Sequence, residues 1–282
     1  MQIPALVLLQ FLGLTAALPP VPLAGPPSAT DQNPYEGKVQ YVSPVYARKL
    51  DQTVSTFLAA GDKLNAARTK TVQHTSTFVW VTTVAGLSDI DDAIKEARKV
   101  QQRTRKPQIV NLVLYDLPSR DCSAGESAGE FQIDNNGLEL YKKTFVDPYA
   151  KKLREARDLT FAVVLEPDSL GNLVTNLGVE LCAKAASAYV EGIAYAITQL
   201  QEKNIALYID AAHGGWLGWT DNLPLGKSNR SKAISSRGLH LHSNRCFRKS
   251  RWSCKGAQEV SQDPWLLYQC LQLQPLYRKP TG

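Results

Sequence analysis

Four short apolar runs of β character, separated by longer stretches with helical spacing, confine this chain to a small set of folds. Thr77 to Thr82, Ile109 to Tyr115, Leu159 to Leu165 and Ile205 to Ile209 read as strands. Between them, Asp89 to Gln102, Leu138 to Ala156 and Ala183 to Leu200 repeat apolar residues on one helical face. Regular alternation of this kind predicts an α/β fold on a parallel sheet, either doubly wound or closed into a barrel. No glycine-rich phosphate loop follows any of these strands, which weakens the doubly wound alternative. With 282 residues and 44% hydrophobic side chains, one large domain with a substantial core is the default.

The ends read differently from this body. Residues 1–17 hold an apolar run from Ile3 to Leu14 followed by small residues, the pattern of a secretory signal peptide. The run is shorter than the roughly 20 apolar residues a bilayer-spanning helix needs, so no membrane partner is expected and the protein is expected to be secreted and extracellular. Residues 18–32 form a Pro-rich linker. The net charge of +6 is concentrated at the other end: residues 226–282 hold eleven Lys or Arg against Glu259 and Asp263, which leaves the preceding chain mildly acidic. A basic end on an acidic body is not a basic binding face, so no nucleic-acid partner is expected.

Cysteine placement divides the chain at the same point. Cys122 and Cys182 lie in the patterned body, and a secreted protein is expected to pair them. Cys246, Cys254 and Cys270 crowd into the end segment near His240 and His242, at spacings that match no common zinc pattern, so no metal is expected.

In parallel α/β enzymes the chemistry sits just past the C-terminal ends of the strands. The second strand is followed by Tyr115-Asp116-Leu117-Pro118-Ser119-Arg120-Asp121-Cys122, the third by Glu166-Pro167-Asp168-Ser169-Leu170, and the fourth by Asp210-Ala211-Ala212-His213-Gly214-Gly215-Trp216-Leu217-Gly218-Trp219. Trp80 marks the first exit. Acidic residues at a single strand end are commonly just solvated, and Trp is commonly core. Carboxylates repeated beside aromatics fit glycoside hydrolysis, in which sugar C–H faces stack on indole while two carboxyl groups donate a proton and activate water.

Tyr-Asp-Leu-Pro-x-Arg-Asp-Cys, Glu-Pro-Asp-Ser-Leu-x-Asn-Leu-Val-Thr-Asn and Asp-Ala-x-His-x-Gly-Trp-Leu-Gly-Trp resemble, in order, the hallmark segments of glycoside hydrolase family 6. The similarity runs from about Asn33 to about Leu225. It implies a distorted parallel β/α (TIM-like) barrel, incomplete in this chain, that hydrolyses β-1,4-glucan with inversion as a monomer without a cofactor. Asp168 matches the family's general acid, and Asp121 the neighbouring carboxylate that raises the acid's pKa by like charge. Tyr115 matches the tyrosine beneath the cleaved sugar, and Ser127 a serine that handles the catalytic water. Trp80, Trp216 and Trp219 match stacking positions, while Asp210 and His213 match groups that shape the groove. Cys122 and Cys182 match a family disulfide.

Two departures stand out. The first exit reads Trp80-Val81-Thr82-Thr83 where the family often has Trp-x-Asp-Thr. Beyond Leu225 the resemblance ends, and with it the later strands, a sugar-binding tryptophan and lysine, and the aspartate usually proposed as base. Residues 226–282 show no sustained periodicity. Read one base later, one codon choice for Leu267 to Gly282 yields a string resembling a later family segment, and Gly226-Lys227-Ser228 is compatible with GTAAGT, a usual intron start. The expectation is a retained intron and shifted frame after 33–225, with the sequon at Asn229 inside the artefact. Two functions follow: a cellobiohydrolase-like cellulase whose activity is impaired in this chain, or a non-catalytic secreted β-glucan-binding protein.

Overall fold

A computed structural model describes residues 33–210, 212–222, 224 and 226. All described strands run parallel. β1 (Val39–Gln40) and β2 (Val79–Val81) lie end to end along one edge of β3 (Gln108–Leu114), β1 against Gln108 and Ile109 and β2 against Leu112 to Leu114. β4 (Thr160–Leu165) pairs with the other edge of β3, and β5 (Ile205–Ile209) pairs with β4. The expected strands are present, with the first trimmed to three residues.

The helices are α1 (Pro44–Ala59), α2 (Lys63–Val72), α3 (Ser88–Thr104), α4 (Gly137–Leu140), α5 (Asp147–Glu155), α6 (Ser169–Thr175) and α7 (Glu180–Leu200). From β2 onward, consecutive strands are sheet neighbours with no reversal of order. A doubly wound sheet reverses its strand order, so this sequential order supports barrel-type winding. The side chains agree. Val110, Leu112, Leu114, Phe161, Val163, Leu165, Leu207 and Ile209 pack under the helices with Ile90, Phe145, Tyr149, Leu153, Tyr189 and Ile193. The alternate residues Ile109, Ala162, Ala206 and Tyr208 make a smaller cluster on the opposite face, joined by Tyr35 and Val164. Each fully buried Leu or Ile contributes about 1.5–3 kcal/mol, so the helix-covered face dominates stability.

The segment expected as one helix from Leu138 to Ala156 is α4, a π-helical stretch at Tyr141–Val146, and α5. α1 and α2 were not expected. Ser43 Oγ accepts from Tyr46 N at 3.3 Å and Asp62 Oδ1 from Asn65 N at 2.9 Å, so both helices start on a side-chain cap. They bury only Val54 and Ala66, which is why their pattern is weak. Residues 1–32 and 227–282, including the expected leader, linker and nearly all of the expected non-native tail, lie outside the described residues.

Candidate active site

The backbone ladder runs one residue past three strands: Tyr115 N donates to Val81 O at 3.1 Å, Glu166 N to Leu114 O at 2.8 Å, and Asp210 N to Leu165 O at 3.4 Å. Immediately beyond, Ser119, Asp121, Glu166, Asp168 and Ala212 adopt positive φ between 48° and 65°. Each non-glycine residue there costs about 1–3 kcal/mol, and such strain concentrates at functional sites. The turns aim side chains that regular strands would direct elsewhere.

Asp168 stands at the N-cap position of α6, yet its side chain caps nothing and is exposed at the strand end. Its backbone N–H donates to Asp210 Oδ2 at 3.0 Å, and the same oxygen accepts from Ala212 N at 2.8 Å. Buried Asp210 thus ties the β5 exit to the turn that presents Asp168. The Asp168 carboxyl is held above the usual aspartate range, first by desolvation between the loops; His213 pulls it down and Asp121 pushes it up. Like charge from Asp121, expected from sequence as the main cause, is therefore the lesser raising influence.

Asp121, Ser127 and Tyr115 form one chain. Asp121 Oδ2 accepts from Ser127 N at 2.8 Å and its Oγ at 3.1 Å, and Ser127 Oγ meets Tyr115 Oη at 3.1 Å. Trp80, 52% exposed, sets its ring at 85° to Tyr115 with centroids 5.6 Å apart. The Arg120 guanidinium lies over the same Tyr115 ring, 4.4 Å from its centroid. Cys122 and Cys182 are disulfide-bonded, which anchors the residue after Asp121 to the start of α7.

The aromatic residues of the β5 exit differ. Trp219 is 64% exposed, an open platform. Trp216 is half-buried: its Nε1 donates to Thr175 Oγ1 at 2.8 Å, and a Cβ on Gly171 would meet its ring at 3.0 Å. His213 lies 6.0 Å from the Trp216 ring, centroid to centroid.

Beneath the open site is a second acidic cluster to which the sequence assigned no role. Glu166, fully buried, accepts from Asp116 N at 3.1 Å, Leu117 N at 3.2 Å and Tyr141 Oη at 2.9 Å. Burial pushes its carboxyl up to about 7 against those hydrogen bonds. Asp116, also fully buried, is pushed up to about 9, first by burial, with Arg120 opposing and Glu130 and Glu166 adding to it. Its Oδ1 lies 3.2 Å from Arg120 Nη1, while Oδ2 meets no hydrogen-bond donor among the described residues, so a proton there relieves a buried charge. Arg120 donates further to the carbonyls of Thr82 and Ser127, both at 2.8 Å, and of Tyr115. Both acids stand in the quoted motifs; only the fold reveals that they are buried.

A groove of about 670 Å³ between α3 and α5 lies on the helical side, away from the strand exits. Its charges pair locally, Arg98 with Asp158 at 2.6 Å and Lys152 with Asp91 at 2.5 Å, as on an ordinary solvated seam. Among the described residues no group of three His, Cys, Asp or Glu is placed to hold a metal, and no helix is long and apolar enough to cross a membrane.

The family model described as "Glycosyl hydrolases family 6" matches residues 35–240, most of the chain and reaching beyond Leu225. This chain belongs to glycosyl hydrolase family 6. It is 60% identical over 213 residues to the 1,4-beta-D-glucan cellobiohydrolase CEL6B of Podospora anserina, covering 75% of this chain and 51% of that protein. Among solved structures, endoglucanase CEL6B from Humicola insolens superposes with a TM-score of 0.69 at 47% identity, covering 72% of this chain and 59% of that one. Cellobiohydrolase II (Cel6A) from Humicola insolens, solved in complex with glucose and cellotetraose, gives 0.69 at 32% identity, covering 73% and 57%. The chain spans about half the length of the curated relatives it matches.

Proposed function

We propose that this chain carries the acid side of a β-1,4-glucan hydrolase site, secreted and cellobiohydrolase-like, with Asp168 as the proton donor in an inverting reaction. The observation that carries this reading is Asp168 itself: a carboxyl freed from its capping position by a strained turn, held above the usual aspartate range, at the end of β4 and next to the β5 exit that presents His213 and Trp219. A raised pKa keeps the proton available for the glycosidic oxygen. Asp121 then stabilises the positive charge that develops on the sugar, and Ser127, held by Asp121 and Tyr115, orients water. Trp80 and Trp219 offer their rings to the apolar faces of glucose units.

The exposed rings also support the second reading, glucan binding without hydrolysis, because stacking needs no acid. One experiment separates the two. Purified wild type and Asp168→Asn are compared for cellohexaose binding by calorimetry and for hydrolysis by product analysis. Hydrolysis by wild type alone, with both proteins binding, supports the enzyme; binding with no hydrolysis by either supports the binder; no binding by either removes both readings. Expressing residues 18–282 beside a version with the frame restored after Leu225 tests the tail, since equal cellulose hydrolysis by the two would overturn the frame-shift reading.

A further inference from the structure

The segment Ser169-Leu170-Gly171-Asn172-Leu173-Val174-Thr175-Asn176 belongs to a motif of which the proposed mechanism uses only the preceding Asp168. In the fold, Asp168, Asn172 and the Thr175–Asn176 pair fall at helical spacing along one side of α6. Asn172 Oδ1 accepts from Asn176 Nδ2 at 2.6 Å and from Ser123 Oγ at 3.3 Å, and Asn176 Nδ2 also donates to Ser123 Oγ at 3.3 Å. Ser123 is two residues from Asp121, on the same loop. The triangle therefore links the loop bearing Asp121 to the helix that begins at Asp168. One residue from each end, Thr175 holds the Trp216 indole and Gly171 leaves room for its ring. Glycine inside a helix costs roughly 0.5–1 kcal/mol against alanine, and the ring in contact supplies a reason for it here.

We propose that Asn172 and Asn176, acting through Ser123, are positioning residues that fix the Asp121 loop against the helix carrying Asp168. The assignment rests on the glucan-hydrolase reading for its consequence in catalysis, but the linkage itself does not. The disulfide holds Cys122 to the start of α7, not to α6, so it leaves the loop free to pivot toward or away from Asp168. The Ser123 triangle removes that freedom. When the loop swings out, the Asp168 carboxyl gains water and loses its like-charged neighbour; the pull of His213 remains, and Asp210 still holds the Asp168 backbone. All of these changes move Asp168 toward an ordinary aspartate.

The test uses the full 282-residue chain. Asn172 is buried, so its replacement risks the fold, whereas Ser123 is exposed and Asn176 only half-buried. Carbon-13 NMR of the Asp168 carboxyl is followed through a pH titration in wild type, Ser123→Ala, Asn176→Ala and Ser123→Thr. The expected result is a lower titration midpoint in both alanine variants, restored in Ser123→Thr, which keeps the hydroxyl. On a wild type that hydrolyses cellohexaose, the alanine variants lose about 10-fold or more in kcat with KM little changed, as misplacement of a reacting group requires. An unchanged midpoint in both alanine variants overturns the proposal, as does a midpoint that stays low in Ser123→Thr. Absence of cellohexaose binding by wild type would remove the glucan reading while the titration still decides the linkage.

Discussion

Two pairs of acids lie at the same strand exits and have opposite environments. Asp121 and Asp168 stand on strained turns at the open end, where loop side chains only partly exclude water. Asp116 and Glu166 sit directly after β3 and β4, fully buried, on the guanidinium of Arg120 and the phenol of Tyr141. Within each motif, Asp121 comes five positions after Asp116 and Asp168 two positions after Glu166. The side-chain chemistry is shared, so depth alone separates the outer pair, proposed to meet substrate, from the inner pair, which shapes the floor.

The comparison is sharpest at the outer acid. In the protein with its frame restored after Leu225, Asp168→Asn is expected to lower turnover of unactivated cello-oligosaccharides by about 10²–10⁴-fold, and less for substrates with good leaving groups, while the thermal midpoint stays near that of the unsubstituted protein. Equal losses on both substrate types in steady-state kinetics would remove Asp168 from the acid role. For the inner pair the signs reverse. Arg120→Met leaves Asp116 Oδ1 and three carbonyls without their donor, so urea unfolding should show a loss of about 3–5 kcal/mol. A loss below about 1 kcal/mol would mean that the buried network relaxes freely.

Solution pH probes the inner pair directly. Both carboxyls have folded-state pKa values above their unfolded ones, so the folded protein binds more protons than the unfolded chain between pH 4 and the neutral range. The stability they contribute is complete below the unfolded pKa. It declines as pH rises through about 7 for Glu166 and about 9 for Asp116. At roughly 1.4 kcal/mol per pH unit for each carboxyl still protonated in the fold, Glu166 alone implies a fall on the order of 3 kcal/mol between pH 5 and pH 7 in chemical unfolding, and Asp116 adds to it. Asp116→Asn, which keeps a neutral polar group in place, should flatten that slope, and an unchanged slope would show that other groups set it. The smallest effect is expected at the disulfide: replacing Cys122 and Cys182 with Ser should cost about 2 kcal/mol, the low end of the usual range, because the Ser123 linkage and the Tyr189 bond to Ser119 O at 2.7 Å remain. A thermal midpoint unmoved by the double replacement would make the bond redundant.

The same division explains what was legible before folding. Strand exits could be read because a run such as Ile109 to Leu114 is apolar but for Asn111 and stops at Tyr115-Asp116. Asp168 and Asp121 stood out as candidates because their motifs are contiguous. The burial of Glu166 could not, because it depends on Tyr141, which arrives from a π-helical stretch whose shifted winding is hidden inside an otherwise regular apolar repeat. α6 escaped notice for a similar reason: its residues answer to loops and a tryptophan ring brought from elsewhere, so its pattern reports tertiary neighbours more than helical period. The like-charge explanation for Asp168 was incomplete because desolvation is a property of surrounding loops, invisible along a line of sequence.

β3 joins two earlier strands, β1 and β2, on one edge and a later one, β4, on the other, and this orders events in time. While the chain leaves the ribosome, β1 and β2 have no sheet to join until Gln108–Leu114 emerges, because neither pairs with the other. After that, each new strand meets a partner already in place: β4 finds β3, and β5 finds β4. Synthesis proceeds at about 5–20 residues per second, leaving several seconds in which the first hundred residues wait unpaired. The nascent chain is therefore most exposed to chaperones and proteases before β3 appears, and it becomes progressively safer as the outer acids are made.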